Sequence, residues 1–394
     1  MVFTETTSVG WGSRLMSSIK GILIGLILIA VAVVALFWNE GRAVKRAQDL
    51  AQGRGAVVEG DVARVDPAQE GALLHLTGEA TTDATLADPD FDVALTALRL
   101  RRVAEMYQWV ERTETKTRQK VGGGQERVTN YHYDRNWSAS LVDSTQFKTP
   151  TGHENPRTMP VTSNDWTAER VTLGAFTLAP ALKGKLSNYQ PLPMEALPPA
   201  ESKAMQQFPN LQISSGGYYI GANPSSPAVG DIRVNFEVVK PQVVSVVAGQ
   251  KGQSLDAWKA RNSTVALLGF GEQSADDLFT QAETENVIIL WIIRVVGFMF
   301  IFFGFRMLME PFAVLADVLP FMGSLVRVGT SIVAFLLALP LALFVIALGW
   351  LWYRPLLGIA LLVVAVGSLV MLWRLAASKK PGPVTAPNPV LSNS

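Results

Sequence analysis

The chain has 394 residues, of which 49% are hydrophobic and 17% are charged, and its formal net charge is +1. Nucleic-acid binding needs a concentrated basic surface, and no cluster of Lys and Arg interleaved with aromatic residues occurs here, so no nucleic-acid partner is expected. The chain has no cysteine, which excludes disulfides, thiolate metal sites and cysteine nucleophiles.

The apolar residues are concentrated in runs close to the ~20 residues that a helix needs to cross the hydrocarbon core of a bilayer. These runs cover residues 21–38, 287–309, 328–350 and 355–373. Polar sequence of mixed charge fills residues 39–286, between the first two runs. The pattern predicts an integral membrane protein with four transmembrane helices and one large water-exposed domain.

The first run ends in bulky Phe37 and Trp38 rather than in a small-residue cleavage site, so it is predicted to be an uncleaved anchor. Positive charge in short loops stays on the cytoplasmic side of a membrane. If both termini are cytoplasmic, more Lys and Arg residues flank the spans on the cytoplasmic side than on the outer side. We therefore expect residues 1–20 and 374–394 to be cytoplasmic. The large domain is then in the periplasm of a bacterial inner membrane, or in the lumen of the endoplasmic reticulum or inner nuclear membrane of a eukaryote.

The large domain is predicted to be β-rich, which makes the fold class α+β. Residues 101–120 alternate with period 2, residues 127–137 alternate again, and Gly122 to Gly124 between them predict a long hairpin. Both ends of the domain are predicted to be helical stalks that continue into the spans. The second stalk begins with Ser274 and Asp277 in capping-box spacing. Further short strand-like runs occur at 72–78, 169–178, 232–239 and 242–249.

The loop 310–327 carries apolar residues at helical spacing and predicts an amphipathic helix in the cytoplasmic surface of the bilayer. A helix packed against neighbouring spans is the alternative. The apolar positions are Phe312, Leu315, Leu319, Met322 and Val326.

No motif for chemistry emerges. The three histidines, His75, His132 and His153, are widely separated, and metal-binding motifs space their ligands tightly. No phosphate loop and no Gly-X-Ser-X-Gly nucleophile motif is present. We therefore expect a protein that is not an enzyme and that uses no metal or cofactor.

Arg294 lies inside the second apolar run, about 10 Å below its outer end at ~1.5 Å per residue. A cation at this depth needs an anionic partner, and Glu40, Glu283 and Glu285 are the candidates. We predict that Arg294 pairs with Glu40 and locks the first two spans together. A contact with a lipid phosphate and a role in transport are the alternatives.

Three further residues in the spans indicate helix contacts. Gly21 and Gly25 form a small-residue surface on the first span, which favours close helix packing. Pro340 is predicted either to kink the third span so that a neighbour can fit or to open its backbone to a lipid or water contact.

Several segments, in the same order along the chain, together resemble the transmembrane protein 43 (LUMA) family, including its bacterial relatives. They are FWNEGR (37–42), LRLRRVAEMYQWVE (98–111), GHENP (152–156), PAVGDIRVNF (227–236) and GWLWYRPL (349–356). The resemblance implies four spans, a large domain between the first two, both termini on the cytoplasmic side, and no catalytic residues. Eukaryotic members self-associate and bind lamins and emerin. The composition, rich in Ala, Arg and Asp, suggests a bacterial member, which has no lamina.

The function expected from these features is a non-enzymatic, self-associating membrane scaffold that organises or senses lipid. Its expected partners are membrane lipids and further copies of the chain. A transporter or channel is one alternative, although the spans carry few polar residues beyond Arg294, Thr330, Ser331 and Ser368. An outer-domain enzyme that acts on envelope lipid is the other.

Overall fold

A computed structural model of the chain describes residues 2–318, 320–355 and 359. Within these residues, three helices are long and apolar enough to cross a membrane. The fourth predicted span, 355–373, lies outside the described residues except for 355 and 359. The helices are α1 (Trp11–Ala56), α2 (Pro180–Lys183), α3 (Lys203–Gln207), α4 (Ala275–Ala316) and α5 (Pro320–Tyr353), with single 3-10 turns at Pro67–Gln69 and Ser144–Gln146.

The stalks of the large domain are the continuous ends of α1 and α4. A capping box fixes the start of α4. The Asp277 backbone N–H donates to the Ser274 side chain, and the Ser274 backbone N–H donates to the Asp277 carboxylate. Leu50 of α1 and Phe279 of α4 are fully buried in one cluster with Leu73 and Val247 of the domain. The two stalks and the domain therefore share a hydrophobic core.

The segment 310–327 does not form the separate interfacial helix that its periodicity predicted. Helix α4 continues to Ala316, a turn follows at 317–318, and α5 begins at Pro320. Proline lacks a backbone N–H, so it cannot continue a preceding helix but suits the first position of a new one. Of the predicted apolar face, Phe312, Leu315 and Met322 are exposed, Val326 is half-buried, and Leu319 lies outside the described residues.

The large domain contains two main sheets. The eight-stranded sheet has the order β1-β7-β6-β14-β13-β12, with β8 paired to β6 and β11 paired to β14. Its strands are β1 (Val2–Val9), β6 (Arg99–Gln119), β7 (Gln125–Ser138), β8 (Asn164–Thr167), β11 (Gln190–Leu192), β12 (Leu211–Ser214), β13 (Gly217–Ile220) and β14 (Ile232–Val239). The predicted long hairpin is β6–β7, with Tyr107 opposite Trp137 and Thr113 opposite Tyr131.

The seven-stranded sheet has the order β19-β15-β16-β10-β9-β3-β2, and β15 also pairs with β3. Its strands are β2 (Val57–Glu59), β3 (Leu73–Thr81), β9 (Thr172–Leu173), β10 (Phe176–Leu178), β15 (Gln242–Lys251), β16 (Ser254–Asp256) and β19 (Leu267–Phe270). Two small hairpins complete the domain, β4 (Thr85–Asp88) with β5 (Val93–Thr96) and β17 (Trp258–Lys259) with β18 (Thr264–Val265).

One hydrophobic core joins the two sheets. It contains Leu100 and Phe236 of the eight-stranded sheet together with Leu74 and Val246 of the seven-stranded sheet, all buried. Burial of apolar area at ~25 cal/mol per Å² is the main contribution that holds such sheets face to face. The core includes Met106 of β6, where the pairing with β7 begins, whereas residues 112–119 of the hairpin lie outside the core.

The membrane helices pack through glycine. A Cβ added at Gly25 would lie 2.7 Å from the Gly304 carbonyl oxygen of α4, whereas one at Gly21 would meet only Met307, at 3.8 Å. Gly25 is therefore a helix contact within the chain, and Gly21 contributes little to it. Pro340 is exposed on α5, while Ala338 and Ala342 on either side of it are buried in the bundle.

The N-terminal residues depart from the predicted cytoplasmic segment 1–20. Residues 2–9 form β1, which pairs antiparallel with β7 of the large domain from Val2 opposite His132 to Val9 opposite Gln125. The pairing partner is more than a hundred positions away along the chain, and local alternation over eight residues does not specify it. The hairpin of the large domain therefore extends to the N-terminal end of α1.

Candidate functional site

The three described spans meet at the buried carboxylate of Glu40. Arg294 of α4 donates from Nε to Oε1 at 2.8 Å and from Nη2 to Oε2 at 2.9 Å, a two-bond arrangement that suits a planar guanidinium. Trp350 of α5 donates from its indole N–H to Oε2 at 2.9 Å. One carboxylate of α1 thus connects α4 and α5, and we call these three residues the Glu40 layer.

Local packing fixes the Glu40 layer. The Glu40 side chain is 2% exposed and that of Arg294 is 10% exposed. A Cβ added at Gly349 would lie 2.8 Å from both Cβ and Cγ of Glu40, so α5 approaches α1 closely only because this residue is glycine. The Arg294 guanidinium also lies 4.8 Å from the centre of the Trp291 ring.

The other two predicted partners of Arg294 lie elsewhere on α4. Glu283 accepts a hydrogen bond from Arg54 at 3.1 Å, and Glu285 is exposed beside a pocket described below. Glu283 precedes Arg294 by about three helical turns, or roughly 16 Å at ~1.5 Å per residue. Separation along the helix therefore keeps it from the Glu40 layer.

A pocket of about 360 Å³ lies next to the Glu40 layer, at the junction of the bundle with the large domain. We call it the boundary pocket. Its wall combines aromatic Trp38 and Tyr353 with the cations Arg42, Lys45 and Arg46. The lining is completed by Gly41 of α1, by Ala282, Glu285, Asn286 and Ile289 of α4, and by residues 262–263.

The cations of the boundary pocket differ in how tightly they are held. Arg42 donates to Asn39 at 3.2 Å and to Asn286 at 3.0 Å, and Arg46 donates from Nη1 to the Thr264 carbonyl at 2.9 Å. Lys45 is exposed. Three cations face one carboxylate, Glu285, among the lining residues, so the pocket is net positive.

Asp49 of α1 holds the loop that forms one wall of the boundary pocket. Its carboxylate accepts from the Asn262 backbone N–H at 2.9 Å and from the Ser263 hydroxyl at 2.6 Å. Burial alone opposes ionisation of this carboxyl, but the hydrogen bonds outweigh burial and leave the pKa of Asp49 below its ordinary value. Asp49 is therefore charged at neutral pH and fixes the loop to the stalk.

A second ionic cluster lies at the end of the bundle remote from the large domain, which we call the far end. The fully buried Asp317 carboxylate accepts from Arg14 of α1 at 2.5 Å and from Arg327 of α5 at 2.7 Å. A Cβ at Gly323 would collide with this carboxylate. Asp317 therefore ties α1 and α5 to the turn after α4.

The tip of the β6–β7 hairpin docks on this far-end cluster. Arg14 donates to the Gly123 carbonyl at 2.5 Å and to the Gln119 side chain at 3.1 Å. Gly123 has φ +80°, and a Cβ there would collide with the indole of Trp11. The Gly122 N–H donates to the Val318 carbonyl at 3.1 Å. Sequence analysis identified the turn glycines but neither this docking nor Asp317, because the partners lie far apart along the chain.

The histidines lie in separate parts of the domain. His75 bonds Glu59 at 2.8 Å and the Gln273 carbonyl at 3.0 Å, His153 stacks on Tyr133, and His132 lies 3.9 Å from Glu114. Across the residues with described coordinates, no group of three His, Asp or Glu side chains could hold a metal ion.

Comparison with known proteins identifies the family. The family model described as "Transmembrane protein 43" matches residues 106–355. The chain belongs to the transmembrane protein 43 family. It is 35% identical to transmembrane protein 43 of Rattus norvegicus over 367 residues, which cover 90% of this chain and 89% of the relative. Identity to the Homo sapiens protein is 34% over 361 residues, covering 88% of each chain.

A more distant relative extends the same match. The transmembrane protein 43 homolog of Drosophila melanogaster is 30% identical over 364 residues, which cover 89% of this chain and 94% of the relative. No solved structure matches the chain. The chain is therefore an integral membrane protein of the transmembrane protein 43 family, with three described candidate spans and a large β-rich domain.

Proposed function

We propose that the protein is a non-enzymatic, self-associating membrane scaffold that binds anionic lipid headgroups in the boundary pocket. The observation that carries the proposal is the composition of that pocket, in which Arg42, Lys45 and Arg46 face the same space as Trp38 and Tyr353. Aromatic rings settle at the headgroup level of a bilayer, and cations there attract anionic lipid. The pocket therefore offers charge for a phosphate and apolar surface for the start of an acyl chain.

The stalks would transmit the position of a bound lipid to the large domain. Leu50 and Phe279 are buried against the domain, and Asp49 holds the loop that forms the pocket wall. A lipid in the pocket would contact α1, α4 and this loop together. Binding there would fix the angle between the bundle and the domain, which is the property required of a scaffold.

The proposed location is a bacterial inner membrane, with the large domain in the periplasm and with the N-terminal end of α1 and the C-terminus of the chain on the cytoplasmic side. Its support is the excess of Lys and Arg at one end of the spans and the aromatic residues at the other. Self-association is part of the same proposal.

The test is the change in thermal stability of the detergent-purified protein when phosphatidylglycerol is added. A ligand that binds the folded state raises the midpoint of unfolding. The wild type is expected to gain more from phosphatidylglycerol than from phosphatidylcholine, and the variant Lys45→Gln with Arg46→Gln is expected to lose this difference. Two cations at ~1 kcal/mol each correspond to a roughly 30-fold loss of affinity.

The matched control is Lys185→Gln with Lys240→Gln. Both lysines are exposed in the large domain, and neither lines the boundary pocket, so the change in net charge is the same. The control should keep the response of the wild type to phosphatidylglycerol. An equal response from both double variants would refute lipid binding at the boundary pocket.

A further inference from the structure

The part of the β6–β7 hairpin that ends in the turn between Gln119 and Gln125 extends away from the large domain as a narrow ribbon. Strand β14 pairs with β6 only up to Met106, and β8 only up to Arg102. Beyond these points β6 pairs with β7, and β7 pairs with β1. Residues 2–9, 112–119 and 125–132 thus form three strands, which we call the polar ribbon.

The polar ribbon lies at the depth of the first membrane span. Its tip contacts Arg14 at the far end, whereas Arg46 contacts the large domain at the other end of the bundle. The apolar run 21–38 lies between these two arginines. Strands of eight residues at ~3.3 Å per residue extend about 27 Å, close to the ~30 Å thickness of a hydrocarbon core.

The two faces of the ribbon differ in charge. The face that carries Gln119 and Arg127 is directed toward the helices, because Gln119 bonds Arg14 and Arg127 lines a cavity with Gly21. The opposite face carries most of the charge. Its residues are Arg112, Glu114, Lys116 and Arg118 of β6, which are exposed, and Glu126 and Asn130 of β7, which are half-buried.

Lipid is not a possible environment for this ribbon. Hydrocarbon offers no partner for the backbone groups of an open sheet edge, and irregular or open-edged backbone occurs at membrane depth only inside protein or beside water. Charged side chains at that depth likewise face a protein interior or a water-filled cavity. Both outer edges of the ribbon, β1 and residues 112–119 of β6, lack a paired strand in the described part of the chain.

We propose that copies of the chain form a ring in which the polar ribbons enclose a water-filled passage across the membrane, with β1 of one copy paired to residues 112–119 of the next. The proposal rests on the self-association proposed above and adds a path for small hydrated ions. The two free edges match in length and depth, since Val2 and Arg112 both lie level with His132. In a ring, pairing unlike edges leaves no edge free. The apolar helices then lie outside, toward lipid.

The first test uses single-cysteine variants, since the chain has no native cysteine. A membrane-impermeant charged maleimide is applied to sealed vesicles of both orientations. Lys116→Cys probes the middle of the ribbon, and Val121→Cys probes its tip, where Val121 is 86% exposed. Val34→Cys on the exposed surface of the first span is the lipid-facing control, and Lys240→Cys marks the side of the large domain.

Lys116→Cys is expected to react at least tenfold faster than Val34→Cys, because only a water-exposed thiol forms the reactive thiolate readily. Val121→Cys is expected to react from the side opposite to Lys240→Cys. Labelling of both from the same side would show that the ribbon does not cross the bilayer and would overturn the proposal. So would a Lys116→Cys rate as slow as that of Val34→Cys.

The second test is oxidative crosslinking of the variant that carries both Thr6→Cys and Lys116→Cys. Within one chain β7 separates these positions by roughly 10 Å, beyond the range that a disulfide bridges. A disulfide must therefore join two copies, and a ladder of bands up to the ring number is expected. Thr4→Cys and Ser8→Cys, each combined with Lys116→Cys, cover neighbouring registers, and no ladder from any of the three would overturn the edge pairing.

These tests separate the passage from lipid binding. The labelling and crosslinking report the position of the ribbon and the contact between copies, whatever lipid occupies the boundary pocket. A crosslinked ladder in a protein that does not respond to phosphatidylglycerol would support the passage and refute lipid binding. A response to phosphatidylglycerol without labelling or crosslinking would support lipid binding and refute the passage.

Discussion

Breaking the pair between Arg294 and Glu40 should destabilise the membrane bundle more than any single change on its lipid-facing surface. Arg294→Met keeps the length of the side chain but leaves the Glu40 carboxylate buried with only the Trp350 indole as a donor. Removing one partner of a buried ion pair typically costs about 3–5 kcal/mol, because the remaining charge is uncompensated. Glu40→Gln should cost a similar amount by leaving the guanidinium without its anion.

The variant that carries both Arg294→Met and Glu40→Gln shows whether the two side chains stabilise the fold as a pair or independently of each other. With both charges removed, no buried charge is left unpaired, so the double variant should be no less stable than either single variant. The free energy of unfolding is measured by denaturant titration in mild detergent. Lys20→Met, which removes an exposed cation near the opposite end of the span, is the control and should change stability by less than about 0.5 kcal/mol. Losses that add in the double variant would refute the reasoning.

Three further predictions concern the stalk, the domain core and the helix packing. Asp49→Asn should remove the stabilisation that the Asp49 carboxylate gives the wild type. This stabilisation is fully present above the ordinary carboxyl pKa of about 3.9 and is lost as pH falls through the lowered pKa of the folded state. The unfolding midpoints of the wild type and the variant, measured from pH 7 to pH 3, should therefore converge in acid. Arg102→Met should lower the stability of the domain by about 3–5 kcal/mol, because Asp88, 2.7 Å away and fully buried, would lose its cation; intrinsic fluorescence during denaturation measures this. Gly25→Val should separate α1 from α4 because its Cβ would collide with Gly304, and the midpoint of thermal unfolding should fall, whereas Gly12→Val, with open space around it, should have little effect.

Sequence analysis predicted most of the structural elements that depend on residues close together in the chain. Alternation of polar and apolar residues located the β6–β7 hairpin, and its glycine run located the turn. The depth of Arg294 in its span pointed to Glu40, because a cation there has few acidic side chains within reach. These features depend on period, length and charge, which can be read directly from the chain.

The features that sequence analysis missed depend on partners distant in the chain. The helical period across 310–327 is real, but a period does not show where one helix ends and the next begins at Pro320. Asp317 was not identified from the sequence, because Arg14, one of the two cations that enclose it, lies about three hundred residues earlier in the chain. Strand β1 was missed for the same reason, since its partner β7 follows more than a hundred residues later.

Native mass spectrometry of the wild-type protein, released from nanodiscs of mixed phosphatidylcholine and phosphatidylglycerol, tests the central claim most directly. It reports the number of subunits and the lipids retained in the same particle. The account predicts one defined oligomer that retains phosphatidylglycerol in preference to phosphatidylcholine. A monomer that retains no lipid, or retains both lipids in proportion to their supply, would contradict it.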